Sequence, residues 1–298
     1  MRTAELKISF IELLLVGVFY FRYNCSQSYS EILYMLAFKD QTIWITGASS
    51  GIGEALAYEC ARQGANLILS ARRGEELKRV VNHCDGSERH SIVPIDLADS
   101  QDFEAMVNKI WRDTSGVDLL INNAGLSQRA LVMDTKMDVH RKIMEVNYFG
   151  TVALTQALLP HMLERGQGGI ITVSSLVGKF TTPLRSAYAA SKHAITAYMD
   201  SLRAELHDTG LQFTTVYPGF IRTNLTYNAL LGDGSEQNSM DRAQREGMAP
   251  EECARRIIKA YLKGKDEAFV GGKETRAILL KRLFPKLFAK IVRKAKVT

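Results

Sequence analysis

From residue 40 onward, short apolar, β-branched runs alternate with longer stretches in which apolar residues recur every three or four positions. QTIWIT (41–46), NLILS (66–70), HSIVPI (90–95), VDLLIN (117–122), GGIITVSS (168–175), LQFTTVY (211–217) and EAFVG (267–271) predict strands. Residues 53–63, 75–84, 99–113, 136–164, 186–208 and 250–263 predict helices, the first closed by Gly64. NLILS and GIITV are apolar throughout, as strands are when helices cover both faces of a sheet. The alternation implies βαβ units with right-handed crossovers, and so an α/β fold: a doubly wound parallel sheet in three α/β/α layers, one domain over 38–275. The irregular stretch 219–249 is too long for a simple connection and predicts a loop over a ligand. It carries Phe220, Leu225, Tyr227, Leu230, Leu231 and Met240, which suggests an apolar or mixed substrate.

Both ends of the chain break this rhythm. ISFIELLLVGVFYF (8–21) is a fourteen-residue apolar run containing Glu12, short of the ~20 residues that span a bilayer. Residues 1–34 form an N-terminal extension: a membrane segment, a stretch packed on the body, or a piece upstream of a true start at Met35. The last segment, 276–298, is a basic amphipathic helix. Leu279, Leu280, Leu283, Phe284, Leu287, Phe288, Ile291 and Val292 fall at helical spacing between cations, and Pro285 is expected to kink or restart it. Eight Lys or Arg and no acid lie there, so the +6 of the whole chain leaves −2 for the rest. Such a tail suits an anionic membrane surface, or it packs on the body or on a partner subunit. With no supporting motif in the body, nucleic-acid binding is not expected.

The four cysteines (Cys25, Cys60, Cys84, Cys253) form no CxxC pair and the six histidines show no ligand spacing. Reduced thiols and the absence of a metal site follow as expectations, with a cytoplasmic location and tail contact at the cytoplasmic face of a membrane. Between the first strand and first helix lies TGASSGIG (46–53), whose glycines let the backbone approach a diphosphate at a helix N-terminus. The second strand ends in Ala71, Arg72, Arg73 with no acid to take a ribose hydroxyl, so two guanidinium groups favour NADP(H) over NAD(H). Further on, Tyr188 and Lys192 stand four apart on one helix face, with Ser175 thirteen residues before the tyrosine.

These pieces together resemble the short-chain dehydrogenase/reductase family in its common single-domain form, over roughly 40–275, and most closely the branch of dehydrogenase/reductase member 7 and its bacterial relatives. The quoted TGASSGIG is similar to the family's cofactor turn, which gives Gly47, Ser49, Ser50, Gly51, Ile52 and Gly53 a cofactor-binding role. Asp96 and Leu97 in PIDL match the adenine contact, and NNAG supplies Asn123, Ala124 and Gly125 along the cofactor. PGFIRT resembles the stretch beside the nicotinamide and supplies Pro218, Gly219, Ile221 and Thr223. Asn147 in EVNYFG, Ser175, Tyr188 and Lys192 match the catalytic set.

The resemblance implies a Rossmann fold and a hydride transfer between a nicotinamide and a small carbonyl or alcohol substrate. A free tyrosine loses its proton near pH 10, and a neighbouring ammonium lowers that value, so Tyr188 is expected to serve as general acid/base with help from Lys192. Ser175 is placed to hold the substrate oxygen, Lys192 to bind the nicotinamide ribose as well, and Asn147 to hold a water in a proton relay. A homodimer or homotetramer through 136–164 and 186–208 is a further implication. The alternative is a non-catalytic dinucleotide-binding scaffold of the same fold.

Overall fold

The computed structural model describes Tyr34 and residues 36–295. The apolar N-terminal run, Cys25 and the start at Met35 lie outside these residues. Seven strands form one parallel sheet: β1 (Thr42–Thr46), β2 (Asn66–Ser70), β3 (Ser91–Ile92), β4 (Leu119–Asn122), β5 (Gly168–Val173), β6 (Leu211–Pro218) and β7 (Glu267–Val270). Their order is β3-β2-β1-β4-β5-β6-β7. The order reverses between β1 and β4, which opens a crevice at the carboxyl ends of these strands, where ligands bind in doubly wound sheets.

Side chains alternate across each strand, so one strand feeds two cores. Ile43, Ile45, Leu67, Leu69, Leu119 and Ile121 pack on one face against α1 (Gly51–Arg62), α2 (Gly74–Asn82) and a helix near the C-terminus that includes Ile257 and Ile258. Trp44, Ile68, Leu120, Ile170 and Phe213 pack on the other against α3 (Phe103–Asp113) and two long helices that include Leu154, Leu158 and Met199. Each fully buried aliphatic side chain in these layers contributes about 1.5–3 kcal/mol. Trp44 keeps its indole satisfied inside the second core, its Nε1 donating to Ser70 Oγ at 2.8 Å.

The expected helix 136–164 is three pieces: α4 (Met137–Met144), a π-helical turn Glu145–Phe149, and α5 (Gly150–Arg165). Gly150 opens α5 where the chain lies on the connection after β3. A Cβ there would overlap the Leu97 carbonyl oxygen, so the helix can lie on the connection after β3 only with glycine at this point. The third strand is shorter than HSIVPI suggested, although the Val93 and Ile95 amides still donate to the Leu69 and Ala71 carbonyls at 3.0 and 3.2 Å.

The long helix that carries Tyr188 and Lys192 is α6 (Ser186–Glu205). Beyond β6, the stretch 219–249 carries the short α7 (Arg242–Arg245) and is pinned by bridges such as Gln128–Leu230 and Ile221–Met248. Then come α8 (Pro250–Leu262), a 3-10 turn, α9 (Ala277–Leu283) and α10 (Pro285–Val292). The tail breaks at Phe284, whose φ of −133° and ψ of 61° are non-helical, as steric conflict before a proline requires. Its inner face packs on the body: Ala277, Ile278 and Phe288 cover Leu176, Phe180 and Tyr217. Its outer residues Leu279, Leu283, Phe284, Leu287 and Ile291 are about half exposed or more. Among the described residues, no helix is long and apolar enough to cross a membrane.

Candidate active site

A cleft of about 460 Å³ opens over the carboxyl ends of the strands. Its floor is the glycine turn after β1. Gly47 (φ 65°) and Gly51 (φ 62°) adopt left-handed backbone that glycine accepts without strain. A Cβ on Gly47 would come within 2.7 Å of Ala124 Cα, and one on Gly51 within 3.0 Å of the Thr223 side chain. The turn is therefore wedged between NNAG and PGFIRT. Asn123 ties it down, its Nδ2 donating to the Thr46 carbonyl at 3.0 Å, while Thr46 Oγ1 accepts from the Asn123 amide at 3.1 Å. Ser50 makes no side-chain cap on α1, so the first amides of that helix are left to an anion in the cleft.

The cleft wall holds Gly47, Ser49, Ser50, Gly51, Ile52, Arg72, Arg73, Asp96, Leu97, Asn123, Ala124 and Gly125 at the end of the glycine turn. Pro218, Gly219, Ile221 and Thr223 line it near β6. Gly53 is the exception among the glycines. It stands behind the turn, where any Cβ would overlap the Gly47 carbonyl, so it serves helix packing and does not face the cleft. Arg72 and Arg73 are exposed and make no ion pair among the described residues. The nearby acids are engaged elsewhere: Arg79 binds Glu54 at 2.7 Å and Glu76 at 3.0 Å. Arg72 thus remains open to a phosphate, while Arg73 is held only by a long bond from its Nη2 to Ser49 Oγ at 3.4 Å.

At the other end, Ser175 follows β5 and caps a 3-10 turn, its Oγ accepting from the Val177 amide at 3.4 Å. Tyr188 and Lys192 project from α6, one turn apart, and are 5% and 4% exposed. Lys192 Nζ donates to the Val173 carbonyl at 2.9 Å. Burial pulls its pKa from 10.5 down to about 8. Tyr188 departs from the simple expectation. Burial outweighs the other influences and raises its pKa, while Arg185 first, then the Ser175 hydroxyl and Arg129, pull it down. In the cofactor-free protein the lysine is thus not the cation that opposes this rise.

Asn147 sits in the π turn, a backbone form often found at functional sites. It does not line the cleft. Its Nδ2 donates to the Leu126 carbonyl and Ser191 Oγ, each at 2.9 Å, and its Oδ1 accepts from the Leu126 amide at 2.7 Å. Gly125 brings it near the lysine: a Cβ there would lie 3.2 Å from Asn147 Oδ1 and 3.5 Å from Lys192 Nζ. Asn147 therefore ties the segment after NNAG to α6.

Several residues of the site carry no sequence signal. Gln128 is fully buried and its Oε1 accepts from the Ala187 amide at 2.7 Å, satisfying the N-terminus of α6 just before Tyr188. Lys142, Val146, Asn224, Asn228, Glu236 and Gln244 also reach the cleft. Of the six apolar loop residues expected to face the substrate, Leu225 and Leu230 line the cleft, whereas Phe220, Tyr227, Leu231 and Met240 do not. The wall is mixed rather than apolar, because Asn224, Asn228, Glu236 and Gln244 join Leu225 and Leu230 there.

Residues 41–232 match the family described as short chain dehydrogenase. A Drosophila melanogaster protein, "Dehydrogenase/reductase SDR family protein 7-like", is 43% identical over 263 residues, covering 86% of this chain and 81% of its own. The fold is similar to a short-chain dehydrogenase/reductase from Burkholderia phymatum in complex with NAD, with a TM-score of 0.74 at 21% identity, covering 88% of this chain and 97% of the other. It is also similar to a Shigella flexneri short-chain dehydrogenase complexed with NADP, with a TM-score of 0.70 at 27% identity, covering 79% and 98%. On its sequence and its seven-stranded parallel sheet alike, the chain belongs to the short-chain dehydrogenase/reductase family, in the branch of dehydrogenase/reductase member 7.

Proposed function

We propose that this family oxidoreductase uses NADP(H) to interconvert a carbonyl and an alcohol, with Tyr188 as general acid/base. The observation that carries this reading is the convergence of Ser175, Tyr188 and Lys192 on one end of a cleft whose other end is the glycine turn with two exposed arginines. The residues present fit a dinucleotide. The uncapped N-terminus of α1 suits a diphosphate, and a turn that excludes side chains at Gly47 and Gly51 leaves the backbone approachable. Arg72 and Arg73 supply the charge for a 2′-phosphate, which NAD lacks.

When bound, the reduced nicotinamide supplies the hydride for the carbonyl carbon. The chain's own groups do the rest. Ser175 Oγ donates to the carbonyl oxygen and holds it beside the phenol. Tyr188 Oη gives that oxygen its proton, and takes it back in the oxidative direction. Lys192, with its pKa near 8, is charged in most molecules at neutral pH yet able to exchange a proton there. Asn147 holds the lysine's end of α6 against the segment after NNAG. Leu126, Val146, Leu225 and Leu230 would receive the apolar body of a ketone or aldehyde, with Asn228 and Glu236 meeting a polar group on it.

The test is cofactor oxidation with NADPH and NADH offered separately against ketones and aldehydes from small to steroid-sized. NADPH-dependent turnover is expected. Tight NADPH binding with no turnover on any substrate would select the scaffold reading.

Peripheral contact with the cytoplasmic face of a membrane is part of the same proposal. Leu279, Leu283, Phe284, Leu287 and Ile291 form an exposed apolar stripe among Lys281, Arg282, Lys286, Lys290, Arg293 and Lys294. Co-sedimentation with anionic vesicles, lost at high salt and on Leu283→Glu, checks it. Assembly as a homodimer or homotetramer through α4, α5 and α6 is checked by sedimentation velocity.

A further inference from the structure

Next to the tyrosine lies a buried charge cluster that the reaction above does not use. Arg129, four residues after NNAG, donates through Nε and Nη2 to Asp241 Oδ2 at 2.8 and 2.6 Å. Both side chains are 3% exposed. Arg185, three residues before Tyr188, approaches the same oxygen only to 3.7 Å, with its side chain 9% exposed. Its Nε has no hydrogen-bond partner. Two guanidinium groups therefore share one carboxylate, and a positive charge is left in excess where water does not reach, an arrangement that costs stability unless something offsets it.

The backbone is arranged to put it there. Leu184 has a φ of 67°, a left-handed conformation that a branched side chain adopts at a cost. Its carbonyl accepts from the Ala130 amide at 3.1 Å, which fixes the turn into α6 and sets Arg185 inward against Asp241. Arg129, Arg185 and Asp241 do not line the cleft, so they act on the site without touching substrate.

The charged groups around the phenol come from every neighbouring element. α6 brings Lys192, whose ammonium is spent on the Val173 carbonyl. The segment after β4 brings Arg129, the residue before α6 brings Arg185, and the substrate loop brings Asp241. Lys142 on α4 and Glu236 on the loop line the same cleft. Among these, Arg185 and then Arg129 favour the ionised phenol, against its burial. Arg185 itself is lowered to about 10 by burial and by Arg129, and so stays charged at neutral pH.

We propose that Arg185 is a positioning residue for the proton transfer at Tyr188, a second cation whose surplus charge favours the phenolate, and that Asp241 on the substrate loop sets how much of that charge the tyrosine feels. This rests on reading Tyr188 as the acid/base. It makes the loop an electrostatic partner of the catalytic helix as well as a cover for substrate. Substitutions at Asp241 and Arg185 must then act on Tyr188 with opposite signs.

The experiment is a titration of the Tyr188 ring. Protein labelled with 13C at tyrosine Cζ is saturated with NADP+, and the Tyr188 resonance is assigned by its loss in Tyr188→Phe. Arg185→Gln is expected to raise the titration midpoint by about one unit and Asp241→Asn to lower it by a similar amount. Arg185→Lys, which keeps the charge, is expected to stay near wild type. The rising limb of kcat/KM for alcohol oxidation against pH is expected to move with the midpoint. A merely structural role would reduce activity without moving the two midpoints in opposite directions. Removing a buried guanidinium can unfold the chain, and in that event Asp241→Asn against Arg185→Lys carries the comparison. Midpoints that do not move, or that move the same way, overturn the proposal. Opposed shifts without turnover on any carbonyl would leave this electrostatic link standing and remove the reductase reading instead.

Discussion

Lys192 lies one turn along α6 from Tyr188, yet its ammonium is 6.0 Å from the centre of the tyrosine ring and donates to the Val173 carbonyl at 2.9 Å. The lysine is held by the strand end as much as it is aimed at the tyrosine. It is a buried cation, and this has a measurable cost.

Burial lowers the pKa of Lys192 from 10.5 to about 8. Between these values the unfolded chain binds the proton that the folded chain has released, so this group makes stability rise as pH rises through the window. Below about pH 8 the penalty is fully present, at about 3 kcal/mol. Lys192→Met is therefore expected to stabilise the cofactor-free protein at pH 7 by up to this amount while turnover is lost. Urea unfolding of both proteins at pH 7 and pH 10 checks it: the variant's advantage should shrink at the higher pH. An advantage equal at both values would show that the ammonium is not penalised.

Tyr188→Phe keeps the ring that lines the cleft and removes the proton. Turnover is expected to fall by about 10²–10⁴-fold with NADPH affinity nearly unchanged. Stopped-flow turnover alongside a calorimetric titration of NADPH separates the two effects. Retained turnover would assign the proton to another group.

Arg72→Ala and Arg73→Ala remove guanidinium groups that make no ion pair among the described residues, so folding should be little affected. NADPH affinity is expected to fall by about tenfold or more for at least one of them, with NADH binding unchanged. The measurement is the Kd of each cofactor by fluorescence. Equal losses for NADPH and NADH would remove the 2′-phosphate assignment.

Gly150→Ala tests the close approach of α5 to the connection after β3. The new methyl overlaps the Leu97 carbonyl and should cost about 1–3 kcal/mol. Gly166, with a φ of 69° and open space around its Cβ position, is the control. Gly166→Ala should cost about 1 kcal/mol through backbone conformation alone. Thermal unfolding of the two variants, compared at one pH, reads the difference.

Period and spacing alone were enough to expect the parallel sheet, the glycine turn against the second-strand arginines, and Tyr188 above Lys192 on one helix face. Each of these is local: a strand alternates, a turn needs glycine, and residues four apart on a helix share a side. What only the tertiary structure decided depends on contacts between distant segments. Gly150, just after the π turn, has no room for a side chain because it meets the Leu97 carbonyl across the fold. Gln128 caps α6 from 59 residues away. Asp241 on the loop is shared by Arg129 and Arg185 from two other elements. The sequence also could not say which loop residues face the cleft, since an irregular segment has no period to assign its sides. Nor could it weigh the burial of Tyr188 against its neighbouring charges, because desolvation is a property of the packed chain and not of any residue in it.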